Sequence, residues 1–119
     1  MFKEILEEIV GGVDGGLAGL VMGYDGIALD NYVASEREVE IETAGMEFSQ
    51  ILQNIRTAAE MLEVGKAAEV AVKAERLTMV LRLLTDEYFV AIALGPDANV
   101  GKARFLLRTR AHQLQEALS

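Results

Sequence analysis

The segment Gly16–Val33, GLAGLVMGYDGIALDNYV, constrains the fold of this chain more than any other. It reads as an apolar strand, an Asp25-Gly26 turn and a second strand. Asp-Gly between apolar runs marks a tight hairpin, because a type I′ turn requires positive φ at both central residues. The first strand, Leu17–Tyr24, is apolar on both faces. It is therefore predicted to be central and covered from both sides, with Ile27–Val33 paired to it.

The flanking patterns set the element order. Phe2, Ile5, Leu6, Ile9 and Val10 share one side of a short amphipathic helix, Phe2–Val10, which Gly11-Gly12 ends. Ala34–Glu40 is polar and reads as a loop, with Ser35 as a capping candidate for the helix after it. Ile41–Glu63 is predicted to be a long helix. Ile41, Ala44, Phe48, Leu52, Ile55, Ala59 and Leu62 share its buried face, and Gly65 is placed to stop it. Three strands come next: Ala68–Ala74, Leu77–Leu84 and Tyr88–Leu94. Their links are too short for anything but antiparallel hairpins. Asn99–Leu118 is a final helix with Val100, Ala103, Leu107, Ala111, Leu114 and Leu118 as its apolar stripe. The order α-β-β-α-β-β-β-α, with a sheet apolar on both faces, predicts an α+β fold. It is a three-layer α/β/α sandwich in which residues 1–119 form a single domain.

Charge and composition exclude several functions. The 119-residue chain has a net charge of −8. Ala98–Ser119 holds Lys102, Arg104, Arg108 and Arg110 against Glu116, a net of +3, which leaves −11 on Met1–Asp97. Such a body repels nucleic acid and anionic membrane, and the basic helix is expected to pair with the body or with a partner. There is no cysteine, hence no disulfide, thiolate metal site or cysteine nucleophile, which fits a cytoplasmic protein. No apolar run approaches the roughly 20 residues of a membrane span, so no membrane insertion is expected. The acidic N-terminus is unlike a signal peptide.

Catalytic candidates are poor. His112 lies off the apolar stripe of the last helix and reads as a surface residue. Ser35, Ser49 and Ser119 lie in no Gly-x-Ser-x-Gly context. No carboxylate pair lies in an apolar setting that would raise a pKa. Gly11–Gly16 precedes a strand, whereas phosphate loops come after one. Gly95–Ala103 comes after a strand, but its loop is one residue too long and Ala103 stands where Mg²⁺ needs a hydroxyl. No catalytic residue, cofactor or metal is expected.

One surface does stand out. Opposite the apolar face of the long helix lie Met46, Gln50, Gln53, Asn54, Thr57 and Met61, none of them charged. Glu42, Arg56 and Glu60 flank this stripe on one side and Glu47 on the other. Protein interfaces are depleted in charge and enriched in Met, so the stripe reads as a contact surface. Val70 and Val72 belong to the third strand, which as a sheet edge would offer free N–H and C=O groups to a second copy.

With these elements in order, the chain resembles the Roadblock family, the dynein-light-chain-roadblock-like domains whose bacterial members include MglB. The hairpin Gly16–Tyr32 is similar to the family's strand, Asp-Gly turn and strand. Asn99-Val100-Gly101-Lys102-Ala103-Arg104 is similar to its Asn-x-Gly-x-x-Arg entry into the last helix. The resemblance implies a five-stranded antiparallel sheet with the long helix on one face and both terminal helices on the other. It also implies a homodimer or heterodimer joined through the long helix and the third strand. The implied work is non-enzymatic: binding a Ras-like small GTPase and modulating its nucleotide cycle by repositioning the GTPase's own groups. Two other readings stay open. One is a scaffold subunit with no effect on nucleotide turnover. The other is a small-molecule sensor of profilin-like or longin-like build, for which the strands supply few inward polar residues apart from Asn31.

Overall fold

The structure is a computed structural model and describes residues 2–34 and 40–119. Most of the Ala34–Glu40 loop, with the capping candidate Ser35, lies outside the described residues. The elements run α1 (Phe2–Gly11), β1 (Gly16–Gly23), β2 (Ala28–Val33), α2 (Ile41–Leu62), β3 (Glu69–Lys73), β4 (Thr78–Leu83), β5 (Tyr88–Leu94) and α3 (Val100–Leu118). This is the order the patterning predicts. The five strands form one sheet, β2-β1-β5-β4-β3, with every neighbouring pair antiparallel. The apolar strands β1 and β5 lie inside it, and β2 and β3 are its edges.

Alternation along the strands divides the core in two. On one face, Val21, Val80, Val90 and Ile92 pack with Leu6, Ile9 and Val10 of α1 and Ala103, Leu107 and Leu114 of α3. On the other, Leu20, Met22, Met79, Leu81, Phe89, Ala91 and Ala93 pack beneath Ile41 and Leu52 of α2. A three-layer α/β/α sandwich results. Ala91 and Ala93 are small, and they lie on the α2 face beside Leu20 and Ala18 of β1. Gly45 has no side chain where α2 crosses: a Cβ there would fall inside van der Waals contact of the Leu20 Cδ2 methyl. The helix therefore sits close to the sheet, and full burial of Leu52 contributes about 1.5–3 kcal/mol.

Three local expectations are corrected. The β1–β2 link is not a two-residue type I′ turn. Gly26 has φ 87°, but Asp25 does not share a positive φ. Gly26 N–H donates to the Gly23 carbonyl and Gly23 N–H to Ile27, so Tyr24-Asp25-Gly26 is a three-residue loop. The Asp25 carboxylate accepts from Ile27 N–H at 3.1 Å, which holds Asp25 as a turn-initiating residue. At the end of α2, Glu63 itself takes the left-handed cap at φ 56°, with Gly65 two residues beyond. Leu62, expected on the buried face, is 71% exposed. A helix of 22 residues is about 33 Å long and outruns the sheet beneath it.

Candidate functional site

The side of α2 that meets the sheet is Ile41, Gly45, Ser49 and Leu52, with Ala44, Phe48 and Ile55 beside it. Helical geometry then turns Met46, Gln50, Gln53, Asn54, Thr57 and Met61 outward, and all six are exposed. Met46 is 55% exposed and Met61 79%. Several polar groups of the helix are spent within the chain. The Ser49 hydroxyl donates to the Met46 carbonyl at 2.6 Å and Thr57 Oγ1 to the Gln53 carbonyl at 3.1 Å. Gln53 Nε2 donates to the Tyr24 carbonyl at 2.8 Å, which pins the helix to the end of β1. Gln50 and Asn54 remain presented to solvent, with Ile51 exposed next to them.

Among the described residues, edge strand β3 pairs only with β4. Val70 and Val72 are half-buried and register with Leu81 and Met79, so they point to the α2 side of the sheet. The opposite side of β3 carries Glu69, whose carboxylate meets Arg104 of α3 and Arg82 of β4. The uncharged helix stripe and the strand's two valines thus face the same side of the sheet, on different elements.

A second feature was not legible in the sequence. The guanidinium of Arg56 lies 4.2 Å from the centre of the Tyr24 ring and 3.9 Å from Asp86. Tyr24 stacks at a tilt on Phe89 with centroids 5.4 Å apart, and its hydroxyl donates to the Thr85 carbonyl at 3.4 Å. Burial pushes the Tyr24 phenol up to about 12; the Arg56 charge opposes that shift and Asp86 adds to it. Beside Arg56 an open cleft of about 970 Å³ runs between the end of α2, Gly65–Ala68 and Thr85-Asp86. It lies at the rim of the sandwich, where Leu83 and Leu84 line it. Asn31 does not line it; its side chain donates to Glu42 at 3.0 Å.

The glycine segments meet one another. Gly95 N–H donates to the Gly15 carbonyl at 2.8 Å. Asn99 Oδ1 accepts from Lys102 N–H at 3.0 Å and caps α3. The Gly95 and Lys102 amides are therefore engaged within the chain. His112 is exposed and pairs with Glu116 one turn along at 2.9 Å. Among the described residues no group of acidic and histidine side chains is placed to hold a metal ion. No helix among them is long and apolar enough to cross a membrane.

Comparison with known proteins places this architecture. No protein-family model matches the chain, and no curated protein matches it. Solved structures do. MglC from Myxococcus xanthus is 38% identical, with 98% of each chain covered and a TM-score of 0.71. A Roadblock/LC7 domain from Streptomyces avermitilis superposes at a TM-score of 0.84 with 12% identity, over 98% of this chain and 96% of that one. An MglB structure with tetrameric arrangement gives 0.84 with 17% identity, over 95% of this chain and 84% of that one. The last two speak to the fold alone. With the first, they show that this chain belongs to the Roadblock family.

Proposed function

We propose that two copies of this chain associate through the outer face of α2 and the β3 edge, and that the dimer is a non-enzymatic regulator of a Ras-like small GTPase. One observation carries the reading. The stripe Met46–Met61 is uncharged, exposed and covered by no element among the described residues, in a protein whose other helix surfaces are rich in Lys, Arg and Glu. Burying that stripe with Val70 and Val72 could supply the roughly 1,200–2,000 Å² of a stable complex. Self-association also fits the MglB fold relative, whose structure has a tetrameric arrangement. A regulatory role fits the spent hydroxyl of Ser49, the exposed His112 and the self-capped start of α3.

The GTPase reading rests on family membership. Regulation without a donated catalytic group fits Arg56, whose guanidinium is stacked on Tyr24 and lies 3.9 Å from Asp86. A symmetric dimer presents two equivalent surfaces, and a partner astride the axis blocks the second, so two chains per GTPase are expected. Calorimetric titration of the protein with a Ras-like GTPase, loaded in turn with GDP and a GTP analogue, tests this. Binding in one state at that ratio supports the proposal. No heat in either state at tens of micromolar overturns it.

A further inference from the structure

The basic surplus of the last helix gathers at one place, on the side of the sheet opposite α2. A cleft of about 220 Å³ between α3 and the β3–β4 edge is lined by Glu69, Arg82, Gly101, Arg104, Phe105 and Arg108. Arg104 and Arg108, one turn apart on α3, line the cleft together with Phe105 and Gly101. Two of the three guanidinium groups meet one carboxylate. Glu69 takes Arg104 Nη2 at 2.6 Å and Nε at 2.7 Å, and Arg82 at 3.6 Å. Arg108 has no carboxylate within ion-pair distance among the described residues; its guanidinium lies 5.7 Å from the Phe105 ring centre. Phe105 is 52% exposed. By contrast, the cation on a different face of the same helix, Arg110, is matched by Glu8 of α1 at 3.1 Å.

We propose that this cleft binds an acidic segment of a partner protein, with carboxylates on Arg108 and the free N–H groups of Arg82 and Arg104, and an apolar side chain on Phe105. The geometry is already displayed by Glu69, which shows that the cluster receives a carboxylate with short, charge-assisted bonds. Each guanidinium has five N–H donors, and one carboxylate does not saturate three of them. An exposed phenyl ring under an arginine is an apolar anchor of the type enriched at interfaces. Charge complementarity selects the partner. The cleft, with three arginines and one glutamate, is a positive site on a chain of net charge −8, so a short acidic segment is attracted there and repelled elsewhere. A nucleic acid strand longer than the cleft would run onto that acidic body. The site uses no residue of α2 and neither Val70 nor Val72; it lies on the opposite side of the sheet and takes only Glu69 from β3.

The test uses the full chain and a fluorescein-labelled peptide of alternating glutamate and leucine, tracked by anisotropy at low salt. Micromolar binding that weakens as ionic strength rises is expected. Arg108→Glu should weaken it at least about tenfold, and Phe105→Ala several-fold. Both residues are exposed, so both variants should keep the parental circular dichroism and the parental GTPase titration. A peptide with lysine in place of glutamate should not bind. Absence of binding at high micromolar peptide, or an Arg108→Glu variant that binds as well as the parent, overturns the proposal. So does an oligothymidylate of equal charge that binds more tightly than the peptide. A change in the sedimentation of the unliganded protein on Arg108→Glu would assign the cleft to a second copy instead, and that too overturns it.

Discussion

Gly45→Ala tests how closely α2 approaches the sheet, and two opposing effects set its sign. In an exposed helix interior, Gly to Ala stabilises by about 1 kcal/mol. At Gly45 the new Cβ would fall inside contact distance of Leu20 Cδ2 and lie 3.0 Å from Met22 Sδ. Leu20 is fully buried between β5 and β2, and its methyl must retreat by more than an ångström into packed surroundings. Overpacking of this kind costs about 1–3 kcal/mol. The net expectation is a loss of up to about 2 kcal/mol, or a drop of up to about 8 °C in melting midpoint for a domain of this size. Gly11→Ala is the internal control. A Cβ at that helical terminus meets nothing within 4 Å, so the same substitution should be neutral or stabilising by up to about 1 kcal/mol. Urea and thermal melts by far-ultraviolet circular dichroism, at one protomer concentration, give both values. If Gly45→Ala stabilises as much as Gly11→Ala, then α2 does not rest on Leu20 and does not owe its seating to a missing side chain.

Four further outcomes are expected. Gln50→Glu combined with Met61→Glu places like charges on the proposed self-association face, and sedimentation should show a shift toward monomer; Gln53 is spared because it holds the Tyr24 carbonyl. Leu81→Ala and Ile92→Ala each empty a fully buried site, on opposite faces of the sheet, and should each cost about 2–5 kcal/mol in urea melts. The Tyr24 phenol has a folded pKa raised to about 12 from 10, so burial favours its neutral form. Its contribution to stability is therefore complete below pH 10 and is lost as pH rises toward 12, and Tyr24→Phe should remove that part of the alkaline decline in melts. Arg56→Ala should lower any stimulated GTP hydrolysis less than tenfold, whereas an arginine finger is worth about 10³–10⁵; a loss of that larger size with binding intact would make Arg56 a catalytic contributor.

The sequence by itself determined whatever rests on local periodicity. Period-two alternation in β4, with Met79 and Leu81 on one face, and the helical stripe Ala103–Leu107–Ala111–Leu114 are properties of consecutive residues, so they were legible. The same holds for the uncharged stripe on α2, since a helix presents opposite faces at known spacing. Tertiary structure decided how far each face is covered and which distant groups meet. Leu62 has a core residue's spacing but no sheet beneath it. Gly45 and Ser49 lack apolar side chains, yet they are buried, because closeness of approach rather than hydrophobicity is what that crossing needs. Asp25 keeps a negative φ because Ile27 N–H is within reach of its carboxylate and the loop closes over three residues. Arg56 reaches Tyr24 and Asp86 only because α2 crosses the end of β1 beside the β4–β5 turn. The meeting of Arg82 and Arg104 on Glu69, in a cleft that Arg108 also lines, likewise draws on three elements that no local pattern relates. It exists because the sheet order sets β3 beside β4 and α3 packs across them.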